Sequence, residues 1–423
     1  MSQIVNQGSG YPVNEDFDPL DPDYLADPYP YYARFRSEMP IFYAPKIDFW
    51  VVSRYEDIQR VVKDPAAFSN ARVQEPLYPI TAEALEKLKA GVRVTPTTST
   101  ADPPLQKRTR KHAARAFSAK RVAGLEGRIR EVASGLIDRI AEEGRADMVD
   151  RFAFPLPAYV VFGLIGYPEK DAEMLKSWCS DRLKLTWGRP LPEEQLATVE
   201  KMASFFDYME NFVHGRAEDL RDDYTSDLLR IRAEDEENLS LEEVVSIDYS
   251  LSFAGHETTT NLILNGLRQL LSRPGLWDEL RENPGLIENA VEETLRRDTP
   301  VVAWRRSTTR PVEIAGVEVP EGARLMLLLA SANRDEGVFE DPDAFDIRRE
   351  NANKHLAFSH GIHFCLGAPL ARLEVRVAFE LLTRRFGNLR LSPPDQRFAF
   401  DSNMSFRGPK ELWAEWTPAR AGA

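Results

Sequence analysis

One cysteine of this chain stands in a glycine-containing loop directly before a helical segment. Residues 358–367 read FSHGIHFCLG, so Cys365 lies between Gly361 and Gly367, and helical periodicity follows from Leu370. A helix start and nearby His and Arg side chains favour the thiolate form of a cysteine, which is the form that binds metals. Glycines let the backbone approach a flat group and let amides point at the sulfur. The pattern therefore favours a metal-binding thiolate at Cys365.

Three other interpretations of Cys365 stay open on the residues alone. Burial tendencies favour an ordinary structural cysteine in a turn. A zinc site needs three or four Cys or His ligands, and no second cysteine lies near this one in the sequence. A cysteine nucleophile paired with a histidine is disfavoured, because no local pattern marks an oxyanion hole or a third member.

An acid and an alcohol lie side by side within a long apolar segment. Ser240 and Glu243 form a capping-box pattern, and the segment that follows runs to Arg273, before Pro274-Gly275. This predicts one helix of about 50 Å. Apolar residues on several of its faces place the helix through the middle of the molecule. Within it, residues 254–259 read AGHETT.

The hydroxyl of Thr258 can bond the carbonyl of Ala254, four residues earlier, which would open the helix into a groove. Glu257 beside it can relay protons through water as a general acid. On its own, such a pair is more often an exposed acid next to a hydroxyl that bonds its own helix.

A second charged pair lies on a helix that is expected from Asn283-Pro284 to Pro300. Glu293 and Arg296 are three residues apart, so their side chains can meet on one side of the helix. Both lie away from the apolar stripe by helical phase. Alone, the pair predicts a surface salt bridge worth less than about 1 kcal/mol.

These residues must be positioned by a mainly helical chain with a minor sheet. The clearest strand signal is residues 312–329, where alternating residues flank an Ala315-Gly316 turn and another apolar strand follows. The acidic stretch from Glu218 to Glu243 is interpreted as a solvated connector and helix start. Helical patterns are found at residues 29–39, 56–62, 125–144 and 370–386.

The composition excludes several classes of partner. Among 423 residues, 54 Lys and Arg oppose 67 Asp and Glu, for a formal net charge of -13. This argues against nonspecific binding to nucleic acid or to an anionic membrane surface. The first thirty residues show no signal-peptide or anchor pattern, and the two cysteines cannot form a disulfide framework, so a cytoplasmic location is expected.

Phe358, Gly361, His363, Cys365 and Gly367 together resemble the haem-binding loop of cytochromes P450. The resemblance implies a bacterial haem-thiolate monooxygenase, with Cys365 as the axial ligand of haem b and as its only metal ligand from the protein. It implies the P450 fold, mainly α with minor β, as a single large domain over residues 1–423 around a buried haem, without a fused reductase or ferredoxin. The thiolate would donate electron density that favours cleavage of the O–O bond of dioxygen.

The resemblance extends to the other motifs of the chain. Residues 254–259 are similar to the oxygen-activating segment, with Ala254 at the cofactor, Thr258 positioning dioxygen and Glu257 relaying protons. Glu293 and Arg296 match the buried ExxR pair of the family, with a further partner expected in Arg348 or Arg349. Shorter matches are residues 27–30, 332–335 and 345–347.

The haem propionates require positive charge, which arginine supplies well through paired hydrogen bonds. The resemblance assigns this role to Arg110, Arg306 and His355. It departs from the family at Gln106, where a histidine is common, so that contact is expected to be weakened or lost.

Electrons must come from separate proteins, by family analogy a ferredoxin and its NAD(P)H-dependent reductase. The chain has no Gly-rich nucleotide fingerprint, and with Cys365 on haem only Cys179 remains, too few for an iron-sulfur cluster. NAD(P)H would therefore act only indirectly. The expected docking face surrounds Cys365 and carries these basic residues: Arg110, Lys111, Lys354, Arg372 and Arg376.

By family analogy the substrate pocket is walled by residues 71–100, by the helices around 178–205 and by a set of apolar side chains. A small or medium apolar substrate is expected, with hydroxylation or oxidative dealkylation as the reaction and a monomer as the working form. A peroxide-driven haem peroxygenase and a non-catalytic haem or ligand carrier are the alternatives. The pocket residues expected are Phe253, Val301, Val302, Trp304, Met404 and Phe406.

Overall fold

The computed structural model describes residues 10–179, 182–235 and 238–418, and it is mainly helical with a minor sheet, as predicted. The helices in chain order are α1 (Pro22–Ala26), α2 (Tyr29–Glu38), α3 (Tyr55–Lys63), α4 (Ala82–Gly91), α5 (Leu105–Ala116), α6 (Ala119–Gly124), α7 (Glu126–Ile140), α8 (Pro155–Ile165), α9 (Ala172–Cys179), α10 (Arg182–Trp187), α11 (Pro192–Glu218), α12 (Tyr224–Glu234), α13 (Leu241–Ala254), α14 (Glu257–Leu271), α15 (Leu276–Glu282), α16 (Ile287–Arg297), α17 (Leu329–Ala332) and α18 (Ala368–Arg385). The four helical patterns of the sequence correspond to α2, α3, α7 and α18 and are confirmed.

The strands form a five-stranded sheet, a three-stranded sheet and a hairpin. They are β1 (Ile41–Ala44), β2 (Phe49–Val52), β3 (Phe68–Ser69), β4 (Arg145–Asp147), β5 (Trp304–Thr308), β6 (Val312–Ile314), β7 (Val317–Val319), β8 (Arg324–Leu327), β9 (Arg390–Leu391) and β10 (Trp413–Glu415). The larger sheet has the order β1-β2-β8-β5-β3, with β2 and β8 parallel, and the smaller has the order β4-β10-β9. The predicted hairpin is confirmed as β6–β7, whose turn residues Ala315 and Gly316 have φ of 47° and 77°, as a tight hairpin turn requires.

The central helix is broken, so the prediction of one continuous helix is wrong. The capping box is present, since Ser240 Oγ accepts from the amide of Glu243 at 3.2 Å. However, α13 ends at Ala254 and α14 begins at Glu257. The hydroxyl of Thr258 takes the Ala254 carbonyl at 3.0 Å, the bond that the sequence predicted. A Cβ at Gly255 would lie 2.6 Å from a methyl group of Val161, so α8 presses against the break.

The acidic stretch is more ordered than the sequence indicated, and its interpretation as a solvated connector is wrong in its middle part. Helix α12 occupies it, with Asp223 as the N-cap that accepts from the amide of Ser226. Tyr224, Leu228 and Ile231 are buried at helical spacing, while the charges occupy the other face.

The central helix is fixed against the helix that follows the cysteine loop. A Cβ at Gly266 of α14 would lie 2.4 Å from Cζ of Phe379 on α18, so only glycine admits that ring. Helix α16 lies against the same point, because the Thr294 hydroxyl oxygen is 3.4 Å from the same position. The two chemistry-bearing elements are therefore joined by direct packing.

Across residues 10–179, 182–235 and 238–418, no helix combines the length and apolar character needed to cross a membrane.

Candidate functional site

The cysteine loop is closed by its own backbone. The amide of Cys365 donates to the carbonyl of Phe358 at 2.9 Å, and residues Gly361–His363 form a short 3₁₀ turn between them. Gly361 has φ of 69°, and a Cβ there would lie 2.9 Å from the carbonyl oxygen of Val62 on α3. Gly361 is thus required by packing against α3 rather than by a flat ligand alone, as the sequence had suggested. At Gly367 a Cβ would meet only the sulfur of Cys365, at an ordinary 3.9 Å.

The thiol of Cys365 is accessible although it lies among many protein atoms. Burial raises its pKa, while the backbone amides of Gly367 and Ala368 and the guanidinium of Arg110 oppose the rise. The sequence predicted that a helix dipole and a nearby cation stabilise the Cys365 thiolate, but in the chain alone burial has the larger effect on its pKa. A bound metal cation reverses this balance and deprotonates the thiol.

Helix α5 holds the loop from one side. The side-chain amide of Gln106, which is fully buried, donates to the carbonyl of Ile362 at 2.7 Å. One turn later, Arg110 donates to the carbonyl of Phe364 at 2.6 Å. Gln106 therefore supports the backbone of the cysteine loop, and the expected weakening of its contact with a propionate stays a prediction.

Two cationic side chains near the loop lack a compensating carboxylate. Arg306 on β5 is 3% exposed, and its Nη1 donates to the carbonyl of Arg305 at 2.7 Å. Burial lowers the pKa of Arg306 to about 10, with a small opposing effect of Asp102. Burial also lowers the pKa of Arg110. Within the described ranges neither arginine forms an ion pair with a carboxylate.

His363 lies in the same electrostatic environment. Burial, together with Arg306, lowers its pKa to about 4, so the ring is neutral at physiological pH. A backbone group of Thr98 opposes this shift, although neither ring nitrogen has a hydrogen bond of good geometry to the described residues. The side of the loop near Arg110, Arg306 and His363 thus combines two guanidinium cations with a neutral imidazole.

His355 is placed differently from the other predicted propionate ligands. Its Nε2 lies 3.4 Å from a carboxylate oxygen of Glu292, and its Nδ1 accepts from the amide of Ala357 at 3.2 Å. Burial would raise the pKa of Glu292, but hydrogen bonds from Arg372 and His355 lower it to about 2. Within the chain, His355 therefore contacts the carboxylate of Glu292. Its binding of a haem propionate stays a prediction.

The residues around Cys365 fit a haem with its two propionates. No cluster of three or more His, Cys, Asp or Glu side chains suited to a metal occurs in the described part of the chain, so a metal here would have Cys365 as its protein ligand. The buried guanidinium of Arg306 and the half-buried one of Arg110 require anionic partners, which two propionates provide. Cys365 would hold the iron, and Arg110 and Arg306 would hold the propionates.

The break in the central helix exposes backbone and a small side chain. Ala254 is exposed although Phe253 before it and His256 after it are buried. Its carbonyl accepts a hydrogen bond from the Thr258 hydroxyl. Glu257 begins α14 and lies near Cys179, whose thiol pKa is raised by burial and further by that carboxylate. The predicted acid-alcohol pair therefore lies at an accessible interruption of the helix.

The ExxR pair is fully buried. Arg296 Nε lies 2.7 Å from Glu293 Oε2, and both side chains are 0% exposed. The further arginine expected at this pair is Arg349, whose Nε lies 3.2 Å from Glu293 Oε1. Arg348 pairs instead with Glu279 at the surface. The pair joins α16 to the segment that leads to the cysteine loop.

The predicted pocket residues fall into two groups. Phe253 packs on the central helix against Phe205 and Tyr249, with ring centroids 5.1 and 4.8 Å away. The other group joins β5 to the segment before β10, where Trp304 and Phe406 lie 5.2 and 6.2 Å from Trp187. Its predicted members are Val301, Val302, Trp304, Met404 and Phe406, and residues 301 and 406 pair as a β-bridge.

Helix α10 connects the two groups and was not singled out from the sequence. Trp187 at its end contacts Trp304, and Arg182 at its start lies over the ring of Phe253 at 4.4 Å. Arg305, also missed, is 2% exposed, stacks 3.7 Å from Trp187 and donates to the carbonyl of Thr186. The sequence predicted these segments as walls of the pocket, but no local pattern shows that Arg182 stacks on Phe253 or that Arg305 is buried.

Comparisons with known proteins agree with one another. A family model described as Cytochrome P450 matches residues 27–410. The chain is 37% identical over 411 residues to the Cytochrome P450 monooxygenase PikC of Streptomyces venezuelae, covering 96% of this chain and 95% of that protein. It is similar to the crystal structure of the cytochrome P450 CREJ in complex with (4-ethylphenyl) dihydrogen phosphate, with a TM-score of 0.91 at 35% identity, covering 95% of this chain and 100% of that one. It is also similar to an intact type IV self-sufficient cytochrome P450 monooxygenase, with a TM-score of 0.94 at 36% identity, covering 99% of this chain and 55% of that one.

Proposed function

The chain belongs to the cytochrome P450 family and is a haem-dependent monooxygenase, and from this premise we propose that it oxidises a small or medium organic molecule with an apolar body. We propose hydroxylation or oxidative dealkylation as the reaction and a separate ferredoxin with its NAD(P)H-dependent reductase as the source of electrons. A single domain over residues 1–423, a monomeric form and a cytoplasmic location stay predictions. The observation that carries the proposal is the closed cysteine loop, with Arg110 and Arg306 unpaired beside it.

The residues around the loop divide the work of binding. When bound, haem b supplies the activation of dioxygen. Cys365 would ligate through its sulfur, toward which the amides of Gly367 and Ala368 donate and thereby stabilise negative charge. Arg110 and Arg306 would neutralise the propionates, and the fixed loop would keep these groups oriented without reorganisation.

Proton delivery belongs to the broken helix. Thr258 holds its hydroxyl at the Ala254 carbonyl, so the hydroxyl oxygen keeps an acceptor site for a proton donated by water. Glu257, at the first position of α14, can exchange protons between solvent and that water. A peroxygenase would need no such relay, and a carrier would need neither group.

The substrate side favours an apolar body. Trp304 and Phe406 are partly exposed and can supply aromatic surface, with Trp187 buried behind them. Phe253 and Tyr249 are buried against each other on the central helix. Burial of nonpolar area provides most of the affinity in such sites. The structurally similar CREJ is a P450 in complex with an aryl phosphate, which supports a ring-containing substrate for this chain.

The predicted docking face for the ferredoxin needs revision. Arg372 is paired with Glu292 at 2.6 Å and Arg376 with Glu380 at 2.8 Å, so two of the predicted cations are neutralised within the chain. Arg110 donates to the carbonyl of Phe364 and is assigned to a haem propionate, so it is not counted as a docking residue.

Exposed lysines remain around the loop. Lys111 and Lys354 from the prediction are joined by Lys107 on α5 and by Lys63, whose Cα would lie 3.5 Å from a Cβ at Gly361. None of these lysines forms an ion pair within the described residues, and Phe364 between them is 38% exposed. We propose this lysine ring as the docking surface for an acidic ferredoxin.

The decisive experiment is spectroscopic. The reduced, haem-loaded protein under carbon monoxide should show the strongly red-shifted Soret band of a thiolate-ligated haem. Cys365→Ser should lose this band, whereas Cys179→Ser, which changes the buried cysteine, should keep it. Folded, haem-loaded wild-type protein without the band would refute the proposal.

A turnover assay separates the alternatives. We expect oxidation with ferredoxin, reductase and NADH to exceed oxidation with hydrogen peroxide. Faster turnover with peroxide would favour a peroxygenase, and no oxidation with either supply would favour a carrier.

A further inference from the structure

Arg182 is a partly buried cation that stacks on Phe253, a residue of the predicted pocket. It begins α10, and its guanidinium carbon lies 4.4 Å from the ring centroid of Phe253 and 5.3 Å from that of Tyr249. Its Nη2 donates to the side-chain carbonyl of Gln74 at 3.2 Å. Gln74 belongs to the loop that was predicted to wall the pocket. The charge therefore lies among the residues that would surround a substrate.

This guanidinium makes fewer hydrogen bonds than those of the buried arginines Arg296 and Arg305. Arg296 donates to both oxygens of Glu293 and to backbone carbonyls, and Arg305 donates to two backbone carbonyls. For Arg182, the bond to Gln74 is the one hydrogen bond of its guanidinium to a described residue, and no described carboxylate pairs with it. A guanidinium has five N–H donors. Asp181, its neighbour in sequence, lies outside the described residues.

The contacts of Arg182 leave most of its N–H groups without a described hydrogen-bond partner. The rings of Phe253 and Tyr249 cover its face and hold it by cation–π attraction, while Gln74 occupies one nitrogen. The remaining N–H groups of a planar guanidinium form the fork that pairs with a carboxylate or phosphate. The side chain is partly accessible, so an anion can reach it.

Position along the chain ties the charge to the reacting centre. Phe253, under the guanidinium, directly precedes Ala254, whose carbonyl Thr258 holds. At the other end of the same short helix, Trp187 packs against Trp304 and Phe406. An anionic group at Arg182 would thus place the rest of its molecule along an aromatic wall that starts at the broken helix.

We propose that the substrate carries an anionic oxygen group, a carboxylate or a phosphate, and that Arg182 is the specificity-determining residue that binds it. This rests on the proposed monooxygenase function and sharpens the substrate class from an apolar molecule to an apolar molecule with one charged end. The ion pair selects the anion and fixes which end of the substrate lies at Arg182.

The test measures selectivity rather than turnover. Phenylalkanoates from 3-phenylpropanoate to 6-phenylhexanoate, their neutral amides and the corresponding phenylalkyl phosphates are titrated into the ferric holoprotein. Affinity is measured by calorimetry and by the shift of the Soret band. At the best chain length, the anion should bind at least about 10-fold more tightly than the amide of the same length, the size expected for a charge-assisted pair.

The variants assign this preference to one side chain. Arg182→Met should remove the preference while amide binding changes little, and Arg182→Lys should keep part of it because the charge remains. Arg221→Met is the matched control, since Arg221 is a surface arginine, 65% exposed and paired with Asp219. Equal affinity for acid and amide at every length, failure of every anion to bind, or a preference that survives Arg182→Met would each overturn the proposal.

The remaining outcomes are also informative. Tighter binding of the phosphate than of the carboxylate supports the proposal and makes a dianionic end group the better choice. A protein that shows the red-shifted carbon monoxide band and oxidises neutral apolar molecules, but has no anion preference, keeps the proposed function and loses this inference. Loss of the band in the wild-type protein refutes the proposed function itself.

Discussion

Replacing Arg296 by methionine tests whether the Glu293–Arg296 pair holds the fold around the cysteine loop. Arg296 donates to both oxygens of Glu293 and to the carbonyls of Asn333, Pro342 and Ala344, at distances of 2.7–3.0 Å. Removal of the guanidinium leaves those carbonyls without this donor and leaves a fully buried carboxylate with weaker compensation. Breaking a buried ion pair in this way costs about 3–5 kcal/mol.

That cost is a large part of the total stability of a domain, which is about 5–15 kcal/mol. We expect Arg296→Met to lower the denaturant concentration at the unfolding midpoint strongly, without changing the dependence of the unfolding free energy on denaturant. Unfolding is monitored by circular dichroism and tryptophan fluorescence. Arg296→Lys keeps the charge and should lose less. Should Arg296→Met fail to fold, the lysine variant still reports the loss of the forked contacts.

Arg348→Met is the control for this prediction. Arg348 pairs with Glu279 at the surface, where the two side chains are 58% and 36% exposed. Such pairs contribute less than about 1 kcal/mol. A loss for Arg296→Met as small as that of the control would refute the reasoning, because the pair would then behave as an exposed salt bridge.

Three further predictions concern catalysis, docking and pH. Thr258→Ala should keep NADH oxidation but reduce product formed per NADH by at least about tenfold, since positioned proton transfer contributes about a hundredfold or more; an unchanged ratio contradicts the role of Thr258. Reversing Lys107 and Lys111 to glutamate should raise KM for an acidic ferredoxin by about fivefold at low salt and less at high salt, and unchanged kinetics would remove the lysine ring from the docking surface. Burial, assisted by Lys176, lowers the pKa of His256 to about 3, so the unfolded chain binds an extra proton below about pH 6.5 and stability falls from there toward pH 3. His256→Leu should weaken this fall in unfolding midpoints measured between pH 7 and 4.5, and an unaltered slope would contradict it.

The regular elements were predictable where the periodicity is strong. Helices α2, α3, α7 and α18 and the β6–β7 hairpin follow from apolar spacing and from the turn at Ala315-Gly316. The sequence predicted the hydrogen bond from Thr258 to Ala254 but as a distortion within one continuous helix. The break after Ala254 was therefore not predicted. Helix α12 was missed because its charges conceal a narrow apolar stripe.

The site was predictable in its residue types but not in its partners. The sequence identified Cys365, Arg110 and Arg306, but it assigned Arg372 and Arg376 to docking when they pair with carboxylates of the chain. Charged partners that lie far apart in sequence leave no local pattern. For the same reason the sequence placed residues 178–205 at the pocket without showing that Arg182 stacks on Phe253.

The contact of Gly266 with Phe379 has a consequence for how such an enzyme can diversify. It sets the spacing between α14 and α18, independently of the segments that are proposed to contact the substrate. Those segments, including α10 and the loop of Gln74, can change in length and charge while the spacing between α14 and α18 stays the same. New substrate ranges can therefore be sought by redesigning those segments alone.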